Sequence, residues 1–159
     1  MTPLTELQKI ESLLNGSKIT KSELDSLAKN LPIEMIPPWL IEALQSYPLA
    51  GVCFSLDENY DESGLGADLK WMSVNQMIEE ALFAYPGKVV LNLGYIPVAS
   101  CLVGSGDPYF LKMKGSNSDD PSLVRIPHDA VAEDGSYCES EIEVVCNSLS
   151  SFFNLSEID

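Results

Sequence analysis

A reacting centre in this chain would have to be assembled from few side chains. His128 is the only histidine, and Asp129 follows it. An imidazole next to a carboxylate is the base half of a nucleophilic relay, with a serine or one of Cys53, Cys101, Cys138 and Cys146 as the attacking group. Folding alone joins such groups, so their separation in sequence excludes nothing. Yet no serine or cysteine sits in the strand-turn-helix setting of a nucleophile elbow. The expectation is a solvated histidine and no catalytic residue, with a small hydrolase built on His128 as a competing reading.

The run Gly104-Ser105-Gly106-Asp107-Pro108 is rich enough in glycine to suggest a phosphate cradle. A cradle delivers its amides into the start of a helix, whereas this run leads into Tyr109-Phe110-Leu111, a strand pattern, and Asp107 brings the wrong charge. It is expected to be a hairpin turn. Asp57, Asn59, Asp61 and Ser63 alternate like the first ligands of a calcium loop, with Asp68 at the twelfth position. Against that, Glu62 replaces the turn glycine, the last position lacks glutamate, and a strand precedes the loop. The cysteines form no C-x-x-C pair and read as buried thiols in a reducing compartment. No metal and no cofactor are expected.

Charge is the departure from the ordinary. Of 159 residues, 24 are acidic and 9 basic, a formal net charge of −15. Residues 1 to 30 balance, 31 to 68 carry seven acids and no base, 69 to 114 are near neutral, and 115 to 159 carry ten acids against Arg125 alone. Such a surface repels phosphate backbones and attracts basic partners, which argues against direct nucleic-acid binding. No run is long enough to span a membrane and no leader-like apolar core opens the chain, so the cytoplasm is the expected location.

The elements that must position these residues follow from periodicity. Leu4, Leu7, Ile10, Leu13 and Leu14 predict an N-terminal helix within residues 1 to 16. Thr20-x-x-Glu23 and Ser73-x-x-Gln76 are capping boxes that open two more, the second ending at Pro86-Gly87, and Pro37-Pro38 opens a short one through Trp39, Leu40 and Leu44. Residues 51 to 56, 69 to 73, 96 to 103, 109 to 114 and 122 to 127 read as strands. Ser140-x-x-Glu143 predicts a closing helix with Ile142, Val145, Cys146, Leu149, Phe152 and Phe153 on one stripe. The fold class is α+β: a single domain over 1–159, core 20–155, with a mainly antiparallel or mixed sheet packed by several helices.

The order of these parts resembles the SUKH superfamily, which includes bacterial immunity proteins of polymorphic toxin systems and a fungal cell-wall synthesis regulator. The resemblance is carried by Leu31-Pro32, Trp71 before a capped helix, Gly94-x-Ile96-Pro97-Val98-Ala99, a glycine turn into Tyr109-Phe110-Leu111, and Leu149-x-x-Phe152-Phe153. It implies an α+β fold, no catalytic residues and a specific protein partner, often a toxin. Trp71, Gly94, Ile96, Pro97, Gly104, Gly106, Asp107 and Tyr109 look like its fold signature rather than a contact surface. The longer turn with Leu102-Val103 and the acidic insertion at 57 to 68 depart from its pattern. On this reading two acidic groups are candidate partner-binding surfaces: Asp57, Glu58, Asp61, Glu62 and Asp68; and Asp129, Glu133, Asp134, Glu139, Glu141 and Glu143. A cognate toxin, such as a basic nuclease, is the expected partner, and a regulatory scaffold without a toxin is a further alternative.

Overall fold

The computed structural model describes residues 2–103, 106–115, 117–130 and 136–159. Helix α1 (Leu4–Ile10) runs into a 3-10 turn, Glu11–Leu13, and is followed by α2 (Lys21–Asn30) and α3 (Pro38–Ser46). Strands β1 (Cys53–Leu56) and β2 (Ala67–Trp71) lead to α4 (Val74–Phe83) and α5 (Gly87–Val90). Then come β3 (Tyr95–Cys101), β4 (Tyr109–Lys112), β5 (Leu123–Arg125), β6 (Glu143–Cys146), α6 (Leu149–Leu155) and the short β7 (Glu157–Ile158). The fold is α+β, as the pattern predicts.

Two of the three predicted capping boxes form, and the third, Ser140-x-x-Glu143, does not. The Thr20 hydroxyl accepts from the Glu23 amide at 3.1 Å while the Glu23 carboxylate accepts from the Thr20 amide at 3.0 Å. Ser73 and Gln76 repeat this at α4, at 3.2 and 2.9 Å. Each box supplies acceptors to amides that the first turn leaves without a helical partner.

The strands make one seven-stranded sheet in the order β6-β5-β4-β3-β2-β1-β7. Every neighbouring pair is antiparallel. The register sets Glu143, Arg125, Tyr109, Ala99 and Trp71 opposite one another across β6, β5, β4, β3 and β2. Phe152 and Phe153 of α6 close on Phe54 of β1 at 5.5 and 5.7 Å between ring centres, and Phe153 reaches Trp71 at 5.8 Å. Each of these buried rings contributes about 1.5–3 kcal/mol by leaving water. Because side chains alternate along a strand, Phe110 and Val124 face away from this core and join Val90 of α5, Tyr95 and Ile126 in a second, smaller cluster.

Three elements differ from the sequence expectation. The closing helix does not begin after Ser140: residues 143–146 are strand β6, and Ser148 caps α6 by accepting from the Ser151 amide at 3.1 Å. Val144 and Val145 are β-branched and suit a strand, and Glu143 turns to Arg125 instead of completing a capping box. Pro86-Gly87 ends α4 but also opens α5. The edge strand β7 pairs Ile158 with Phe54 and was not anticipated.

The stretch that holds the glycine turn is a hairpin, with Tyr95 opposite Lys112 and Ile96 opposite Leu111. Gly104 and Ser105 lie outside the described residues. Gly106, at φ +69°, takes the left-handed conformation that glycine adopts without steric cost, and it leads into β4.

Candidate functional site

The loop between β1 and β2 does not project as an acidic knob. It folds back over the end of the sheet where β3 and β5 finish and β4 and β6 begin, and its centre is buried. Asp61 is 5% exposed and Arg125 4%. The Arg125 Nη2 donates to Asp61 Oδ2 at 3.3 Å and to the Gly66 carbonyl at 2.7 Å. Its Nη1 donates to Ser63 Oγ at 3.2 Å and to Glu143 Oε1 at 3.3 Å, and its Nε to the Tyr109 hydroxyl at 3.3 Å. Asp61 Oδ1 accepts from the Ser63 amide at 2.7 Å and from Ser63 Oγ at 2.6 Å. A buried charge needs a partner and hydrogen bonds to be tolerated, and here both charges have them. Both Asp61 oxygens are thereby engaged within the protein, so the central acid of this loop serves an arginine. Burial pushes the Tyr109 hydroxyl up to about 12 despite the hydrogen bond and charge of Arg125, so it is a neutral phenol at physiological pH.

Over this network lies a cleft of about 290 Å³, whose lining includes Leu65, Val103, Asp107, Tyr109, Pro127 and Glu143. Cys101 and Arg125 also border it. Two apolar side chains of its lining reach solvent, Leu65 at 65% exposed and Val103 at 53%. Asp107 ties the next segment to this cleft, accepting from the His128 amide at 3.2 Å and meeting His128 Nδ1 at 2.6 Å. The Tyr137 hydroxyl donates to the Pro127 carbonyl at 3.1 Å. Burial, then the charges of Glu141, Asp107, Asp129 and Glu143, raise the pKa of Tyr137, so carboxylates from separate segments act on one hydroxyl.

The candidate partner-binding residues therefore separate. Asp57, Glu58 and Glu62 are exposed, Asp68 is half-buried, and Asp61 is withdrawn from solvent into the Arg125 network. That withdrawal corrects its placement on an outer surface, and its cause is the guanidinium that β5 carries inward, which needs a buried counter-charge. Asp129, Glu139 and Glu141 are exposed, and Glu143 is half-buried beside Arg125. Glu133 and Asp134 lie outside the described residues. His128 is exposed, as expected, but it is held by Asp107. Among the described residues its side chain bonds to no serine oxygen or cysteine sulfur.

The signature residues are spread through the framework. Trp71 packs on Phe153, and Ile96 and Tyr109 are buried. Pro97 stands at a bulge in β3. Gly94 has φ +99°, and its carbonyl accepts from the Met113 amide at 2.7 Å. Of this set, Asp107 and Tyr109 belong to the cleft. Sequence reasoning missed Arg125 as an organiser. The signal was present: a lone arginine inside the apolar strand Leu123-Val124-Arg125-Ile126 has to meet a carboxylate.

Among the described residues no helix is long and apolar enough to cross a membrane. No protein-family model, curated protein or solved structure matches this chain.

Proposed function

We propose that this protein is a non-catalytic binding module that captures a basic protein, with its partner face at the cleft end of the sheet. The observation that carries this reading is the company the cleft acids keep: Asp107 and Glu143 share its lining with the exposed side chains Leu65 and Val103. Apolar contact supplies affinity there, while carboxylates at the rim select lysine- and arginine-rich surfaces and reject anionic ones. Asp129 and Glu141 act on the Tyr137 hydroxyl together with the cleft acids Asp107 and Glu143 and so extend the negative charge beside it, and Glu139, two residues before Glu141, is exposed.

The resemblance to the SUKH superfamily adds the partner's class, a toxin held inactive by an immunity protein. A nuclease toxin is basic because its substrate is anionic, so an acidic cover complements it. Complementary charge also raises association to as much as about 10⁸–10⁹ M⁻¹s⁻¹ at low salt, which suits a protein that must act before its target does. The free thiols of Cys53, Cys101, Cys138 and Cys146 accord with a reducing cytoplasm.

The test is binding to the purified products of neighbouring genes, measured against salt. Reversing Asp129, Glu139 and Glu141 together to lysine is expected to slow association and flatten its salt dependence. Reversing Asp57, Glu58 and Glu62 should do less, because Asp129 and Glu141 act on the Tyr137 hydroxyl together with the cleft acids Asp107 and Glu143, whereas these three do not. Asp61 stays unaltered in both variants, since its loss would unfold the loop rather than report on contact. Binding that ignores the first reversal would remove this face from the interface. Hydrolysis of ester substrates that disappears in His128→Ala would replace the binding reading with the catalytic one.

A further inference from the structure

The strands β4, β5 and β6 carry the acidic cleft at one end and something of opposite sign at the other. There a depression of about 300 Å³ is lined by Lys112, Lys114, Asn117, Ser122 and Asn147. In a chain with 24 acids, no carboxylate is among the described residues that line it, whereas two of the nine basic residues are. Neither lysine forms an ion pair among the described residues.

The lining is held in place from several directions. The Lys112 amide donates to the Ser122 carbonyl at 3.1 Å, closing the end of the β4–β5 pair. The Met113 and Lys114 amides both donate to the Gly94 carbonyl, at 2.7 and 3.3 Å. The Lys114 stem lies so close to Gly94 that an added Cβ there would fall 2.4 Å from the Lys114 Cβ. Its ammonium donates one bond, to the Asn92 carbonyl at 3.3 Å. Ser122 Oγ donates to the Asn147 carbonyl at 3.0 Å, and Asn147 Nδ2 spends one of its two hydrogens on Glu62 Oε1 at 3.2 Å. The connecting loop is anchored by Trp39 Nε1 on the Ser118 carbonyl at 2.8 Å and by the Ser150 amide on Asp120 at 3.0 Å.

That leaves the Lys112 ammonium, most of the Lys114 ammonium, an Asn147 N–H and the Asn117 amide group as donors around one small volume. Converging donors with two positive charges match a tetrahedral oxyanion. Glu62 meets the Asn147 edge and offsets part of this charge, while the field of acids farther than about 8 Å is screened at physiological ionic strength. We propose that this depression is a binding site for a phosphate group, free or as a monoester, at the end of the sheet opposite the partner face.

The experiment is amide NMR titration of the full chain with inorganic phosphate and, separately, with phenyl phosphate, against sodium chloride at matched ionic strength. Saturable shifts centred on residues 112–115, 117, 122 and 147 are expected with at least one of the two, and the stronger ligand tells free from esterified phosphate. Lys112→Gln, which spares the Lys114 packing, is expected to weaken binding about tenfold or more by removing a charge-assisted donor. Lys70→Gln, on a lysine outside this lining, is the control and should leave affinity unchanged. The proposal is overturned by shifts that chloride reproduces, by no saturation with either phosphate, or by equal affinity in Lys112→Gln and wild type.

Discussion

Replacing Arg125 with methionine tests whether the buried network holds the β1–β2 loop against the sheet. The Arg125 side chain is 5% exposed and that of Asp61 0%. Methionine keeps much of the volume and removes the charge, so the Asp61 carboxylate stays buried with Ser63 still on Oδ1 and nothing on Oδ2. Breaking a buried pair from one side costs about 3–5 kcal/mol, because the remaining charge is uncompensated. With a urea slope of about 2 kcal/mol/M, the unfolding midpoint should fall by roughly 1.5–2.5 M. The fluorescence of Trp71, packed against Phe153, provides the signal. The double variant Arg125→Met with Asp61→Leu removes both charges and should recover most of the loss, since an apolar pair in place of a buried ion pair is often neutral. Glu143→Gln should cost under about 1 kcal/mol, because that carboxylate keeps 32% of its exposure. If Arg125→Met stays within about 1 kcal/mol of wild type, or the double variant is as unstable as the single one, the electrostatic reasoning fails.

Two further outcomes follow from ionisable groups elsewhere. Burial pushes the Glu80 carboxyl up to about 7, against the Gly87 amide at 2.9 Å and the charge of His128, which both lower it, and with Glu79 adding to the rise. A folded value above the ordinary 4.5 means stability that is full below pH 4.5 and lost as pH rises through about 7. Glu80→Gln should therefore unfold at a higher temperature than wild type at pH 8, by about 1 kcal/mol after allowance for its partial hydration, and match it near pH 4; a larger gain at pH 4 than at pH 8 would contradict the sign. For the cysteines, the exposed Cys138 thiol has its pKa lowered by the Ser140 hydroxyl and amide, whereas burial, then Asp61 and Glu62, push Cys146 up to about 12. Iodoacetamide at pH 7.5 should modify Cys138 first and Cys146 last, read by mass spectrometry, and Ser140→Ala should slow Cys138. The reverse order would count against both assignments.

Local signals carried much of the fold. Thr20 and Ser73 mark helix starts because their hydroxyls and the side chains three residues on satisfy amides within one turn, a strictly local transaction. The β3–β4 hairpin was legible for the same reason, as two apolar runs with a glycine turn between them. The C-terminal segment was not, because Val145, Cys146, Leu149 and Phe152 satisfy helical spacing while the choice of strand for 143–146 depends on β5 lying alongside. The site divides in the same way. Asp57, Glu58, Asp129, Glu139 and Glu141 are exposed, as sequence polarity suggests. Asp61 is indistinguishable from them in sequence, and only the return of its loop over Arg125, 64 positions away, draws it inside. The pairing of Asp107 with His128, 21 positions apart, was hidden by the nearer Asp129. The lysine-lined depression escaped notice because its residues come from three strand ends.

The account stands on the cleft end of the sheet being a surface for a basic protein. Its most direct test is the association rate of the wild-type chain with each purified neighbouring gene product, at low and at physiological salt, beside the variant with Asp129, Glu139 and Glu141 reversed to lysine. The account predicts a basic partner whose association is fast at low salt, falls as salt rises, and is slow at both salts for the reversed variant. Association that is independent of salt and of the reversal, or the absence of any basic partner among those products, would contradict it.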